Sequence, residues 1–208
     1  MPAPEIVTEA VVIGRENRGE SFIAYRLMSL KAGLIWALLR RSKKPNAGIA
    51  VDLFDEGEFH LERKPGSATG FIKDAKITRR RTKLSRNYSA FLAASKFANL
   101  LASNPVHEEN ALLSMKLLHQ GLSAWEDGAS PSATYLKCLY LYCRQEGYPV
   151  KEEWAQCLPP EERSAVVRTL NRPLAELADN SDVLNPAIQS LETYIRRHTH
   201  IRLAPSDA

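Results

Sequence analysis

Within the stretch WALLRRSKKPNAG, Trp36 to Gly48, a short apolar run ends in four cations, Arg40, Arg41, Lys43 and Lys44. Cations at this density neutralise phosphates and release the counterions condensed on a polyanion, the main sequence-independent source of affinity for nucleic acid. A second cluster, Lys73, Lys76, Arg79, Arg80, Arg81, Lys83 and Arg86, has only Asp74 opposing it. Such runs also serve as solvated charge that keeps a protein dispersed, and RRSKK alone does not separate the two readings. Two clusters converging on one unit favour the polyanion.

Other constellations carry less chemistry. No GxxxxGK[ST], HExxH or GxSxG pattern occurs, and GSATGF, Gly66–Phe71, has glycines without a following lysine, so it reads as a hairpin loop. His198 and His200 flank Thr199 as if on one side of an extended tail, without a third metal ligand in view. The stretch DLFDEGEFHLE crowds Asp52, Asp55, Glu56, Glu58, His60 and Glu62. A divalent-metal nuclease uses such carboxylates, but alternation across a hairpin turns them to solvent, and they read as surface charge. Cys138, Cys143 and Cys157 are an odd number without a CxxC pair, and read as buried reduced thiols. These residues predict no enzyme, no metal and no cofactor.

The elements that must position the cations can be read from patterning. At 208 residues the chain is long enough for one large domain or two small ones. Its first 80 residues predict short strands at Glu9–Arg15, Ser21–Ser29, Gly33–Arg40, Gly48–Asp55 and Thr69–Arg79, separated by turn signals such as ENRGE, KKPNAG, DEGE and RKPGSATG. Five strands of that length suit a small Greek-key barrel. After Arg86 the apolar period becomes helical, first in YSAFLAASKFANLLAS, then in NPVHEENALLSMKLLHQGLSAWEDG. Ser130 and Pro131 sit at N-cap and N1 positions of a third helix, which Gly147 and Pro149 stop. LPPEERSAVVRTLNRPLAELAD and NPAIQSLETYIRRHTHIR complete a set of about five helices. Charge divides at the same place: residues 1–86 hold 17 Lys and Arg against 10 Asp and Glu, and residues 87–208 hold 11 against 14. The expected fold is α+β and multidomain, a barrel over 1–80 followed by an all-helical domain over 81–208. No run of about 18 apolar residues is present to span a membrane, and the N-terminal MPAPEIVTEA lacks signal-peptide character, so a cytoplasmic protein is expected.

The order of these features resembles the bacterial recombination-repair mediator RecO family, in which an oligonucleotide-binding (OB) barrel precedes a helical domain. The family's opening strand, its Gly-Glu before a second strand and its following Gly look like EAVVIGRENRGESFIAYRLMSLKAGLIWAL, through Val11–Arg15, Gly19, Glu20 and Gly33. RRSKKPNAG sits where the family's barrel carries a basic segment, though without that segment's small-residue and glycine pattern. YLKCLYLYCRQEGYPVKEEWAQC looks like the family's leucine-rich helix, Gly-Tyr-Pro turn and following cysteine. Several members bind zinc with further cysteines there; here Cys157 is followed by LPPEERSAV, so no zinc site is expected.

The resemblance implies a cofactor-free, nucleoid-associated DNA-binding mediator that binds and anneals single- and double-stranded DNA. It further implies work with RecR, contact with the acidic C-terminal tail of single-strand-binding protein, and indirect help in loading RecA. The nucleic-acid contacts expected are the two basic clusters, with Tyr25 and Trp36 as base platforms, since OB folds stack bases on exposed rings. For a protein partner the expected cations are Lys116 beside Leu117 and Leu118, Lys137 beside Tyr140 and Leu141, and Arg196 and Arg197 beside Ile195. A different class of function stays open at this point: a non-catalytic protein–protein adaptor whose basic barrel faces another anionic partner, such as acidic lipid.

Overall fold

Alternation in the N-terminal part becomes five strands: β1 Glu5–Arg18, β2 Phe22–Ser29, β3 Gly33–Arg40, β4 Glu56–Arg63 and β5 Thr69–Arg79. This is a computed structural model, and it describes residues 5–42, 49–64, 66–104, 108–176 and 181–204. The strands close into a barrel in the order β1-β2-β3-β5-β4, with β4 returning to β1. All pairings are antiparallel except β3 with β5, where Trp36, Ala37 and Leu38 run parallel to Thr69, Gly70 and Phe71.

Every second side chain enters the barrel, as the period of a pleated strand requires. Val12, Leu27, Ile35, Ala37, Leu39, Phe59, Leu61 and Ile72 form its interior together with Tyr25. Complete burial of a ring or branched side chain of this kind contributes about 1.5–3 kcal/mol, which is what holds so small a barrel together. Two glycines serve close approach. A Cβ on Gly57 would stand 2.3 Å from the Lys76 carbonyl oxygen, so only glycine lets β4 and β5 meet there. Gly14 follows a β-bulge in β1, and a Cβ there would meet the Arg26 side chain at 2.3 Å.

The fourth strand lies later than expected. Residues 51–55 form the approach to it, and the strand itself is EGEFHLER, whose Gly57, Phe59 and Leu61 point inward. Val51 and Phe54 are nevertheless buried, which explains why GIAVDLFD has a strand's apolar content. Phe54 adopts a left-handed backbone (φ 67°), rare for a bulky residue. It is held by its N–H donating to the Val12 carbonyl, while the Val12 N–H donates to the Asp55 carbonyl, both at 2.9 Å.

Six α-helices follow among the described residues: α1 Tyr88–Ser103, α2 Glu108–Glu126, α3 Pro131–Gln145, α4 Val150–Glu153, α5 Pro160–Asn171 and α6 Ser181–His198. The short α4, absent from the expected five, occupies the VKEE that follows the Gly-Tyr-Pro turn. Ser130 caps α3 by accepting from the Ala133 N–H at 3.3 Å, with Pro131 as its first residue. Helix α3 is buried along most of its length and packs against α1, α5 and α6. Phe97 of α1 meets Tyr142 of α3 edge to face at 6.4 Å. Asn104 ties down the C-terminal segment, donating to Arg202 O and accepting from Arg202 N–H at 2.9 and 2.8 Å. Among the described residues no helix is long and apolar enough to cross a membrane.

Two compact units result, residues 1–81 with 105–115, and residues 82–104 with 116–208. The first contains the barrel and the second most of the helices. The segment 105–115, which the patterning assigns to the helical domain, groups with the barrel.

Candidate nucleic-acid interface

The outward parity of β2, β3 and β5 builds one face from side chains that stand opposite each other across the strands. Register places Gly14 of β1, Arg26 of β2, Trp36 of β3 and Thr69 of β5 in one row. The next row runs Glu16, Ala24, Leu38 and Phe71, and a third runs Arg18, Phe22 and Arg40. Opposed side chains on neighbouring strands sit about 4.5–5.5 Å apart at Cβ, so each row is a set of direct neighbours.

At the centre of this face the Arg26 guanidinium lies 5.7 Å from the centroid of the Trp36 ring. Gly14 makes the space: the Arg26 chain lies where any Cβ at position 14 would be. Trp36 is 41% exposed, and a cation over a ring is attracted by about 0.5–1 kcal/mol at such a site. Phe22 and Phe71 meet edge to face at 6.2 Å beside Leu38, all three half-buried. The face therefore combines planar apolar surface with Arg18, Arg26, Arg40 and Arg41 around it. Arg41 donates to the Asn17 side chain, which holds it against the β1–β2 hairpin.

The two basic clusters meet this face unequally. Arg40 and Arg41 are exposed at the end of β3; Lys43 and Lys44 lie outside the described residues. Lys73 is exposed and pairs with Glu62. Lys76 and Arg79 are exposed further along β5. Arg80 is exposed and donates to the Ala50 carbonyl at 2.8 Å. Lys83 and Arg86 belong to the other compact unit.

Two of the expected contacts are structural instead. Tyr25 is 1% exposed: its ring fills the barrel and its hydroxyl donates to the Val51 carbonyl at 3.0 Å, so it is no base platform. Burial pushes its phenol up. Arg81 is 5% exposed, and its Nε donates to Glu56 Oε1 at 2.8 Å in a buried ion pair, which takes it out of the set of cations that face solvent. Glu56 and Asp55 are likewise not surface charge. Asp55 is buried and accepts from the Asp52 N–H at 2.9 Å, and loss of water raises its carboxyl above the usual range. Of the remaining carboxylates, Glu58 pairs with His60 at 3.1 Å and Glu62 with Lys73.

Most of the apolar residues expected beside the partner cations are buried. Lys116, Arg196 and Arg197 are exposed, but Leu117, Leu118 and Ile195 beside them are buried in the helical core. Lys137 donates to the Arg172 carbonyl at 3.0 Å, Tyr140 is buried, and Arg196 faces Glu192 at 3.7 Å. Cys138 and Cys143 are buried, and burial pushes both thiols up to about 12, whereas Cys157 is exposed rather than buried. His198 belongs to α6 and stacks on Tyr194 at 5.3 Å, while the His200 N–H donates to the Tyr148 hydroxyl at 2.9 Å, so the two do not share an extended tail. Among the described residues no three His, Cys, Asp or Glu side chains gather as a metal would require.

Arg26, Arg18, Phe22 and Phe71 are the members of the face that the charge clusters did not reveal. The signal was parity: Phe22 and Arg26 share one side of β2, as Trp36 and Arg40 share one side of β3. What the fold defines, among the described residues, is a chain with an N-terminal five-stranded closed barrel followed by six α-helices. No protein-family model and no curated protein matches it.

Proposed function

We propose that this chain is a DNA-binding recombination mediator, which binds and anneals strands without a cofactor and helps RecA load on single-stranded DNA coated by single-strand-binding protein. In this reading the barrel is an OB fold, whose characteristic binding surface is the face of strands 2 and 3 with the loops flanking it. The observation that carries the reading is the Arg26–Trp36 pair at the centre of the β2–β3 face, with Arg40 and Arg41 at its edge. Rings give a sequence-tolerant stacking surface and the surrounding cations take the phosphates. Partnership with RecR and with the acidic tail of single-strand-binding protein, and association with the nucleoid, rest on the resemblance of the sequence to the RecO family.

Trp36→Ala tests it. The ring faces solvent, so the variant stays folded, and affinity for an oligothymidylate falls by about 1–3 kcal/mol for the base it stacks. Its salt dependence stays that of the native chain, because no phosphate contact is lost. Absence of binding by the native protein even at low salt, or a Trp36→Ala variant that binds as the native protein does, sinks the proposal.

A further inference from the structure

We infer that the exposed residues Lys83, Arg86, Tyr88 and Lys96 in the helical unit form a second contact for single-stranded nucleic acid, with Tyr88 as its base platform. The inference rests on the nucleic-acid reading above and adds a site outside the barrel.

Residues 75–107 contain Lys76, Arg79, Arg80, Arg81, Lys83, Arg86 and Lys96 and no Asp or Glu. Lys83 and Arg86 bound a 3-10 turn, Leu84–Arg86, closed by Arg86 N–H to Lys83 O at 3.1 Å and Asn87 N–H to Leu84 O at 3.2 Å. A 3-10 turn repeats every three residues, so the two cations stand on one side of it, about 6 Å apart along the axis. Leu84 is fully buried and pins the turn.

Tyr88 opens α1 immediately afterwards and is 77% exposed, more than any other large apolar side chain described. Leu92 and Lys96 follow at four-residue spacing, on the side of α1 opposite its buried Ala90, Ala94, Phe97 and Leu101. Among the described residues no carboxylate pairs with Lys83, Arg86 or Lys96. The positive end of a helix disfavours nearby cations, and here Lys83 and Arg86 precede α1 while its first turn holds no acid. An anion relieves that repulsion. Asn87 already caps the helix by accepting from the Ala90 N–H at 3.1 Å, so the anion meets side chains rather than the helix end.

An exposed ring that closely follows two cations in the chain, neither paired with a carboxylate among the described residues, fits a base and its phosphates. It fits an acidic peptide less well, because a peptide's apolar side chain needs a pocket and Tyr88 with Leu92 lies on a convex helix face.

The test uses the full chain and an oligothymidylate of about 30 nucleotides, longer than the roughly 4–16 that one OB barrel covers. Lys83→Ala/Arg86→Ala is expected to flatten the slope of log affinity against log salt by about 1.4, two phosphates at ~0.7 each. Tyr88→Ala is expected to weaken binding about tenfold with an unchanged slope, Tyr88→Phe to bind as the native chain, and the Tyr88→Ala loss to add to that of Trp36→Ala. If Trp36→Ala weakens binding while the Tyr88 and Lys83/Arg86 variants match the native chain, this site is refuted and the barrel reading stands. Displacement of the oligonucleotide by polyglutamate at matched charge, as effectively as by unlabelled oligothymidylate, also refutes it, since bases would then contribute nothing. If the native chain binds no DNA at low salt, both readings fall together.

Discussion

Arg81 and Trp36 show how differently two residues from basic stretches are used. Trp36 stands outside the barrel with a guanidinium over it, whereas Arg81 is withdrawn from water and held by Glu56. Burying two charges is costly unless their geometry is good, and removing one partner is worse, because the other keeps its desolvation cost without compensation. Glu56→Ala should therefore destabilise the protein by about 3–5 kcal/mol, read as a shift in the urea midpoint at unchanged slope. A shift well under 1 kcal/mol would mean that the pair opens to water in solution. Tyr25 belongs with Arg81: adjacent to a cation in sequence, it fills the barrel interior and its hydroxyl needs the Val51 carbonyl.

Among the elements, β1 has a part in the candidate site without contributing a recognising side chain to its centre. Its bulge and Gly14 leave a trough in which Arg26 of β2 lies, and the trough lets the guanidinium reach Trp36 of β3. Gly14→Ala puts a methyl against Arg26 Nε, the end of a flexible chain that can move aside. The expected outcome is a folded protein, within about 1 kcal/mol of native stability, that binds an oligonucleotide several-fold more weakly because the Arg26–Trp36 pair is displaced. Gly57→Ala is the control. Its methyl meets the Lys76 backbone carbonyl, which cannot yield without parting β4 from β5, so it should lose stability instead. Native affinity in a folded Gly14→Ala variant would show that Arg26 has no part in recognition.

For the whole molecule, the excess of cations lies in residues 1–86 and the excess of acids in residues 87–208. A basic barrel can screen two phosphate backbones, and pairing is then downhill without nucleotide hydrolysis. Complementary oligonucleotides should form duplex faster with the protein than without it, in the absence of ATP, and the acceleration should fade as salt rises. Strands precoated with single-strand-binding protein separate the two halves of the proposal. Acceleration of bare strands alone removes the tail contact and keeps the strand-binding reading; acceleration of neither removes the mediator reading. A spectroscopic pairing assay at two salt concentrations is sufficient.

By itself the sequence determined what depends on near neighbours along the chain. Four of the five strands, the start and end of α1, the Ser130–Pro131 cap and the charge imbalance all follow from local period, turn chemistry and counting. The fourth strand was misplaced because Val51 and Phe54 are apolar for burial without being strand. Only the tertiary structure decided which side chains meet across strands. The Gly14–Arg26–Trp36–Thr69 row joins residues far apart in the chain, through a bulge and one parallel pairing that no local pattern announces. It also decided which charges face water. Alternation says that a side chain points out of a strand, but whether that direction leads to solvent, as for Arg40, or to a buried partner, as for Glu56, depends on how the chain closes over it.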